Sequence, residues 1–591
     1  MARPTETPTD KAPRRGGVAW AAGATIIASV AVMDPWGLLP FGPVKTGAVT
    51  VCVLAATTVA LRRRVTLARG PLILWGLVLG WLLVATVTAV DPLHAWIGTP
   101  DRRLGWVTWT VFALAWIVGA SLTRHEKHLV RGTAVVATGM LGLYCVLEAA
   151  GIAPVNVAFA EGRLGGPYGQ PAYLGAAAAL LTPTAAGVAL HRASPTRWRF
   201  TAGASALLGG FALAGSGSRA AWAGIVAAGI LAAPRGLRWF RARPRAIRAG
   251  AAVAVLVMAA LVTATPVADR AATVFDTGPA GLGSRIAEWQ VAVAAIGERP
   301  FFGYGPEGYR VAFPSAVDAG YVRTYGREVI TDRAHSGVLD MAASGGIPAA
   351  VGYVGLIGLA VFSGLRALRH GDAISAGTSV GVIAYAAQQQ FLFPLAEVDP
   401  VFWLLAGTLA AHGLRTWRAP RTVTRALSSV IGLAVLLAVA ATATETIADR
   451  RLNAAAQQAA TFPAHALVEA DRATALRPDS IHTWYVAARI AASGPALTDL
   501  DLALDRAEQG LARSPTDPAL RMEYGALLLE RAQRSTLDHD IDQALHHLQT
   551  LVNDDPYHPL LRRQLAHAYE LAGDTTAAAA HRRAADLLEI A

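Results

Sequence analysis

The feature that most constrains this chain is the spacing of its uncharged apolar blocks. PLILWGLVLGWLLVATVTAV (71–90) carries no charge over twenty residues, the length a helix needs to cross the roughly 30 Å hydrocarbon core of a bilayer. Similar blocks lie near 18–33, 44–61, 104–121, 131–150, 172–190, 200–215, 220–233, 249–265, 348–365, 373–392, 400–414 and 426–445. Backbone amides in lipid must be satisfied within the chain, and blocks of this length do so as helices. The expected fold is all-α: a polytopic transmembrane helix bundle of about 12–13 spans over 18–446. Composition agrees, with 53% hydrophobic and 16% charged residues, against about a quarter charged in ordinary soluble domains.

A net charge of +11 would suggest nucleic acid if it lay on one soluble face. Here it is divided among short loops: 62–69, 123–131, 191–199, 234–248 and 415–425. They alternate with loops poor in positive charge, such as DPWGLLPFGP (34–43). The positive-inside rule makes the basic loops cytoplasmic. Each follows an even-numbered span, so the N-terminal tail (1–17) is expected in the cytoplasm. A cleaved signal peptide is the alternative for that tail, but a first anchor helix fits the loop count better. Cys52 and Cys145 fall inside expected spans and read as small core residues.

Two stretches break the alternation, and both fall on the outer side. In the first, 266–346, GSRIAEWQVAVAAIGERPFFGYG (283–305) reads as an amphipathic helix stopped by Pro300. Ile286, Trp289, Val293 and Ile296 share a face at helical spacing, which predicts a helix along the membrane surface with Trp289 at the interface. The second, 449–591, has helical segments punctuated by turns at Pro478, Pro515 and Pro556, a spacing near the roughly 34-residue tetratricopeptide period. AYELAGDTTAAAA (568–580) has that repeat's tyrosine, Gly-Asp turn and small second-helix residues. About three degenerate repeats in a TPR-like α-solenoid are expected, with an unrelated helical bundle as the alternative.

Ionisable residues at a membrane boundary are functional candidates. Arg219 ends the very short outer turn GSGSRAAW (215–222), Arg285 opens the surface helix, and His335 closes the long loop. Arg163 and Gln170 lie in RLGGPYGQPAYLG (163–175). A lone arginine at a span end is often a snorkelling anchor, the reading given to Arg102 and Arg103. Gln388, Gln389 and Gln390 suit either a polar cavity or hydrogen bonds within the bundle.

Three segments occur in a telling order: SGSRAAWAG (216–224), RIAEWQVAVAAIGERPFFGYGPEGY (285–309) and AHSGVLDMAASGGIPAAVGY (334–353). This order resembles the O-antigen ligase and polymerase superfamily. There, an arginine follows a Ser/Gly turn, a second opens R-x-x-x-W before P-x-x-G-x-G, and a histidine precedes L-x-x-x-x-x-x-G. The loop at 166–175 also looks like the family's, with glutamine in place of a common asparagine. Ser336 departs from the asparagine that usually follows the histidine.

The resemblance implies a metal-independent, inverting glycosyl transfer, without cofactor, on the outer face of a bacterial cytoplasmic (inner) membrane. The donor would be a polyprenyl-diphosphate-linked glycan, and the acceptor a hydroxyl on a lipid, glycan or protein. It gives His335 the part of catalytic base, and Arg219 and Arg285 the diphosphate, which arginine binds bidentately. Asp332, Arg163 and Gln170 are supporting candidates, Asp332 by orienting the imidazole. No Asp-rich or His/Cys spacing points to a metal. A ligase is the leading reading, tilted by the repeats, which would offer a partner a docking surface. A repeat-unit polymerase and a non-enzymatic membrane-tethered scaffold are the alternatives.

Overall fold

The computed structural model describes residues 16–589 except 64, 156, 158–161, 242–277, 279–281, 328–330, 411–415, 419 and 495. Among these residues the membrane region is built from α1 (Gly17–Ala31), α2 (Gly42–Leu61), α3 (Arg69–Val87), α4 (Pro92–Ile97), α5 (Trp106–Ser121), α6 (Arg124–Ala149), α7 (Pro171–Leu190), α8 (Thr196–Gly215) and α9 (Arg219–Arg241). It continues through α10 (Leu282–Glu298), α11 (Tyr309–Ala316), α12 (Ala319–Tyr325), α13 (Gly337–His370), α14 (Ala373–Gln388), α15 (Asp399–Leu409) and α16 (Arg421–Gln458). The all-α expectation holds. The exception is a short antiparallel pair, β1 (Thr66–Ala68) with β2 (Thr416–Arg418).

Seven described helices are long and apolar enough to cross a membrane: α2, α3, α6, α7, α9, α13 and α16. The apolar α1 and α5 are shorter. The expected block at 249–265 lies outside the described residues. At 400–414 the described helix, α15, has eleven residues, all buried. At 1.5 Å per residue it is about 16 Å long, so the described part of this block is a buried helix about half a span in length.

Contacts sort the loops to two ends of the bundle. At one end the β1–β2 pair joins the basic loops 62–69 and 415–425. There Arg63 pairs with Glu126 at 2.5 Å, and Arg235 donates to the Leu368 and Gly371 carbonyls. The other end gathers the 98–105 loop, the turn before α9, the start of α13 and the 389–398 loop.

Small residues let the helices close. Gly377 and Gly381 of α14 face α7 so tightly that an added Cβ would lie 2.2 Å from the Pro183 carbonyl oxygen and 2.1 Å from that of Leu180. This is the small-residue packing of membrane helices.

Helix α13 is broken at Gly345–Gly346, with Gly346 at φ 73°. The expected loop therefore ends earlier than 346, because its last ten residues form a half-helix from Gly337. The P-x-x-G-x-G turn inserts at the break and satisfies the freed backbone. Ile347 N–H donates to the Pro300 carbonyl and Tyr304 N–H to that of Ala343, both at 2.8 Å. Trp81 Nε1 donates to the Gly345 carbonyl at 2.7 Å. A broken helix at membrane depth requires such partners.

Helix α16 is continuous for 38 residues through 446–449. The remaining helices form successive hairpins: α17 (Pro463–Leu476), α18 (Ile481–Ala492), α19 (Leu497–Leu511), α20 (Pro518–Ser535), α21 (Asp538–Asp554), α22 (Pro559–Leu571) and α23 (Thr575–Glu589). Prolines at first-turn positions start α17, α20 and α22, where a missing N–H costs nothing. Asp517 caps α20 by accepting from Leu520 N–H.

An added Cβ at Gly346 would lie 2.1 Å from the Phe301 carbonyl oxygen. Gly346→Val should therefore destabilise the protein by about 2 kcal/mol or more. Gly358→Val, whose Cβ meets nothing within 4 Å, should leave the thermal midpoint of the detergent-solubilised protein unchanged. Equal midpoints for the two variants would refute the proposed role of the break.

Candidate functional site

At the end opposite the basic loops, a cavity of about 1300 Å³ lies between the membrane helices and the solenoid. His335, Asp332, Gln170, Arg102, Tyr173 and Glu288 line its membrane side, and His482, Tyr485 and Ala519 line its solenoid side.

His335 sits in the left-handed region at φ 47°, a conformation that costs energy for a residue other than glycine and is held by the surrounding structure. Its Nδ1 lies 3.1 Å from Glu288 Oε2, with the imidazole about one-fifth exposed. The same carboxylate oxygen accepts from Arg285 at 2.5 Å. Burial alone would raise the Glu288 carboxyl, but His335 and Arg285 outweigh it and hold it below the usual carboxylate range. Trp289 donates to the His335 carbonyl at 3.3 Å and packs on Phe391 at 5.9 Å. The expected interfacial tryptophan is thus engaged with the His335 segment. Of the predicted apolar face of α10, Ile296 is buried, whereas Ile286 and Val293 stay exposed.

Asp332 does not meet the imidazole in the way the sequence suggested. It is paired bidentately with Arg102, at 2.5 and 3.1 Å, and Arg102 also donates to the Tyr173 hydroxyl at 2.7 Å. Burial would raise the Asp332 carboxyl, yet Arg102 holds it below its ordinary value. Glu288, a helical turn beyond Arg285, takes the place beside the imidazole. The anchor reading of Arg102 and Arg103 gives way likewise, because Arg103 forms an ion pair with Glu445.

Phe393 organises this wall. Its ring lies under the guanidinium of Arg102 at 4.9 Å and that of Arg333 at 5.6 Å. It meets His335 edge to face at 5.6 Å and Tyr173 at 6.3 Å.

Behind it the fully buried Arg333 bridges Glu307 at 2.5 Å and Asp340 at 3.1 Å. Glu307 in turn accepts from Leu104 N–H at 2.6 Å and from Thr99 Oγ1 at 3.2 Å.

The other candidates stand off the cavity. Arg285 reaches its wall through Glu288. Arg163 donates to the Ser216 carbonyl at 3.0 Å, bracing the turn before Arg219. That turn packs on Gly175 of α7, where an added Cβ would meet Ser218 at 2.6 Å. Neither Arg163 nor Arg219 contributes to the described cavity wall. Gln389 serves the bundle, accepting from Tyr353 at 2.7 Å and donating to Asp399 at 2.8 Å.

The spacing R-x-x-E could have flagged Glu288, since residues three apart meet on a helix. No local signal marks Arg102, Tyr173 or Phe393, whose partners are distant in sequence.

The solenoid is fixed over the cavity by buried charges. Arg310 joins Asp517, at 2.6 Å, to Asp91. Asp91 also accepts from Ser514 Oγ at 2.6 Å and pairs with His94 Nδ1 at 2.7 Å. Burial opposes ionisation of Asp91, but His94, Arg310 and Ser514 draw its pKa down to about 2. Arg327 pairs with Asp555, and Arg477 meets Glu445 at 3.2 Å.

With the geometry in place, comparison with known proteins adds one assignment. Residues 204–354, roughly a quarter of the chain, match the family model described as O-antigen ligase. That segment contains Arg219, Arg285, His335 and the Gly346 break. That segment is thus similar to O-antigen ligases, and the chain around it carries helices long and apolar enough to cross a membrane several times. No curated protein matches the chain. One similar solved structure is a human IFIT1 dimer with PPP-AAAA, at 16% identity and TM-score 0.19, covering 41% of this chain and 63% of that chain. This chain thus spans less than two thirds of that protein.

Removing the buried Arg310 guanidinium takes the shared cation from Asp91 and Asp517, leaving Asp91 only His94 and Ser514 and Asp517 only the Leu520 N–H, at a cost of about 3–5 kcal/mol. Arg310→Ala should raise hydrogen–deuterium exchange at 514–518 and 91–95. Arg563→Ala, in a half-exposed pair, should not. Unchanged exchange in Arg310→Ala would show that the contact does not hold the solenoid.

Proposed function

We propose that the chain is a membrane glycosyltransferase that moves a glycan from a polyprenyl-diphosphate donor to an acceptor hydroxyl, in the manner of an O-antigen ligase. The observation that carries this reading is His335, paired with Glu288 and facing a large cavity, within the segment that matches the family. The positive-inside rule puts the basic end of the bundle in the cytoplasm. The N-terminus is then cytoplasmic, and the cavity and solenoid lie outside a bacterial cytoplasmic membrane. The TPR-like repeats over 449–591 form the outer cover of the site.

With Nδ1 turned to Glu288, His335 keeps Nε2 for the incoming hydroxyl. The acceptor O–H gives its proton to Nε2 as its oxygen attacks the anomeric carbon. The bond from that carbon to the phosphate oxygen breaks, and its electron pair leaves with the polyprenyl diphosphate. Attack from the face opposite the leaving group inverts the configuration. Glu288 stabilises the imidazolium that forms, as a carboxylate does beside a catalytic histidine. Arg285, held on Glu288 at the edge of the cavity, meets the charge growing on the diphosphate; Arg219, which stands off the described cavity wall, is given the same part by the family resemblance alone. Arg102, Asp332, Tyr173 and Gln170 shape the opposite wall, and Arg163 holds the turn that presents Arg219.

His335→Ala should lower transfer by about 100-fold or more. Mass spectrometry of polyprenyl-diphosphate glycans in cells carrying it should then show long lipid-linked chains accumulating. Glu288→Gln should cost a smaller factor, on the order of ten- to a hundredfold. Accumulation of single repeat units would indicate a polymerase. An unchanged pool with normal protein levels would sink the catalytic assignment and favour a scaffold.

A further inference from the structure

A second cavity of about 770 Å³ runs along the solenoid. It is bounded on one side by Arg323 and Gly326 of the α12 region, and on the other by Glu523, His558 and Gln564. It shares Gly326, Tyr485 and Ala519 with the cavity at His335, so the two adjoin along the repeats.

Its chemistry is specific. Gln564 Oε1 and His558 Nδ1 are buried in its wall with no hydrogen-bond partner among the described residues, and so is His482 Nε2 at the inner cavity. As lining residues, Gln564, His558 and His482 bring side chains that can donate and accept hydrogen bonds to the two cavity walls. Tyr485 lines both cavities, and the α12 tyrosines Tyr321 and Tyr325, whose rings lie 5.2 Å apart, line the inner one. Tyrosine supplies a flat apolar face with a polar tip, which suits the C–H faces and hydroxyls of sugar rings. Arg323 and Glu523 give the outer wall charge of both signs, which does not favour an acidic or a basic peptide.

We propose that this groove binds an extended carbohydrate, the glycan chain of the lipid-linked donor, and carries it away from the diphosphate held near His335. The assignment rests on the transfer reading above and adds a subsite formed by the solenoid. It makes the repeats a glycan track that favours long chains over single repeat units.

The test uses the full-length protein in nanodiscs. The probe is glycan released by mild acid from the polyprenyl-diphosphate pool of the producing cells, labelled at its reducing end and separated by length. Binding is read by fluorescence anisotropy. Long chains should bind more tightly than single units. Ala526→Trp, in the wall of the outer cavity and away from the described wall of the inner one, and Gln564→Ala should each weaken long-chain binding about tenfold and leave single-unit binding unchanged. Thermal midpoints equal to wild type show that both variants fold. His335→Ala should bind long chains normally, which separates the groove from the chemistry. Absence of long-chain binding, or equal binding by wild type and both folded variants, overturns the groove even if His335→Ala abolishes transfer. Groove-dependent binding of polysaccharide stripped from the mature envelope, without binding of the donor-derived chains, overturns the donor assignment in favour of the acceptor. Groove-dependent donor binding with an unchanged lipid-linked pool in His335→Ala cells upholds the groove and removes the transfer reading.

Discussion

The candidate site depends on one buried cation. Arg333 has no access to solvent on which to rely, and an unpaired charge there would cost several kcal/mol. It is kept by Glu307 and Asp340, which come from the glycine-rich turn and the half-helix of α13. Glu307 also takes the amide of Leu104, so a single carboxylate ties the 98–105 loop to the same point. Replacing this cluster by apolar residues could be neutral for stability, but it would release the segment that ends at His335. The left-handed backbone of His335 is thus imposed by neighbours on both sides: the triad before it and the Gly337 N–H donating to the Gln389 carbonyl at 2.7 Å after it.

The bilayer explains how much of the fold was legible. A spanning helix must be apolar over most of its length, so α2, α3, α6 and α7 stand out from residue type alone. Departures occur where protein replaces lipid around a helix. The α15 block reads as a span but is a short helix buried on all sides. Gly345–Gly346 reads as ordinary glycine within an apolar run, yet it is a break filled by a turn forty residues earlier in the chain. The succession of helices beyond α16 was legible through Pro478, Pro515 and Pro556, which lie in the turns between them. Their docking was not, because Arg310, Asp91 and Asp517 lie hundreds of residues apart and each alone looks like a solvated charge.

The site divides in the same way. His335 was conspicuous as a histidine at the head of an apolar run, and Glu288 was within reach by its spacing from Arg285. Asp332 was legible as a candidate, but its partner, Arg102, is 230 residues away and carried no local mark. Phe393 had none either, although two guanidiniums and the imidazole are arranged about its ring. Such a ring excludes water while the cation–π contacts offset part of the desolvation of the arginines.

The central claim is that His335 and the groups around it transfer a glycan from a polyprenyl diphosphate. The most direct measurement is polyprenyl diphosphate released by the purified protein in nanodiscs, given lipid-linked glycan extracted from the producing cells and washed envelope as acceptor. The account predicts release that requires the acceptor, proceeds with inversion at the anomeric carbon, and disappears in His335→Ala. Release at the wild-type rate by that variant, or none from the wild type with both substrates present, would contradict it.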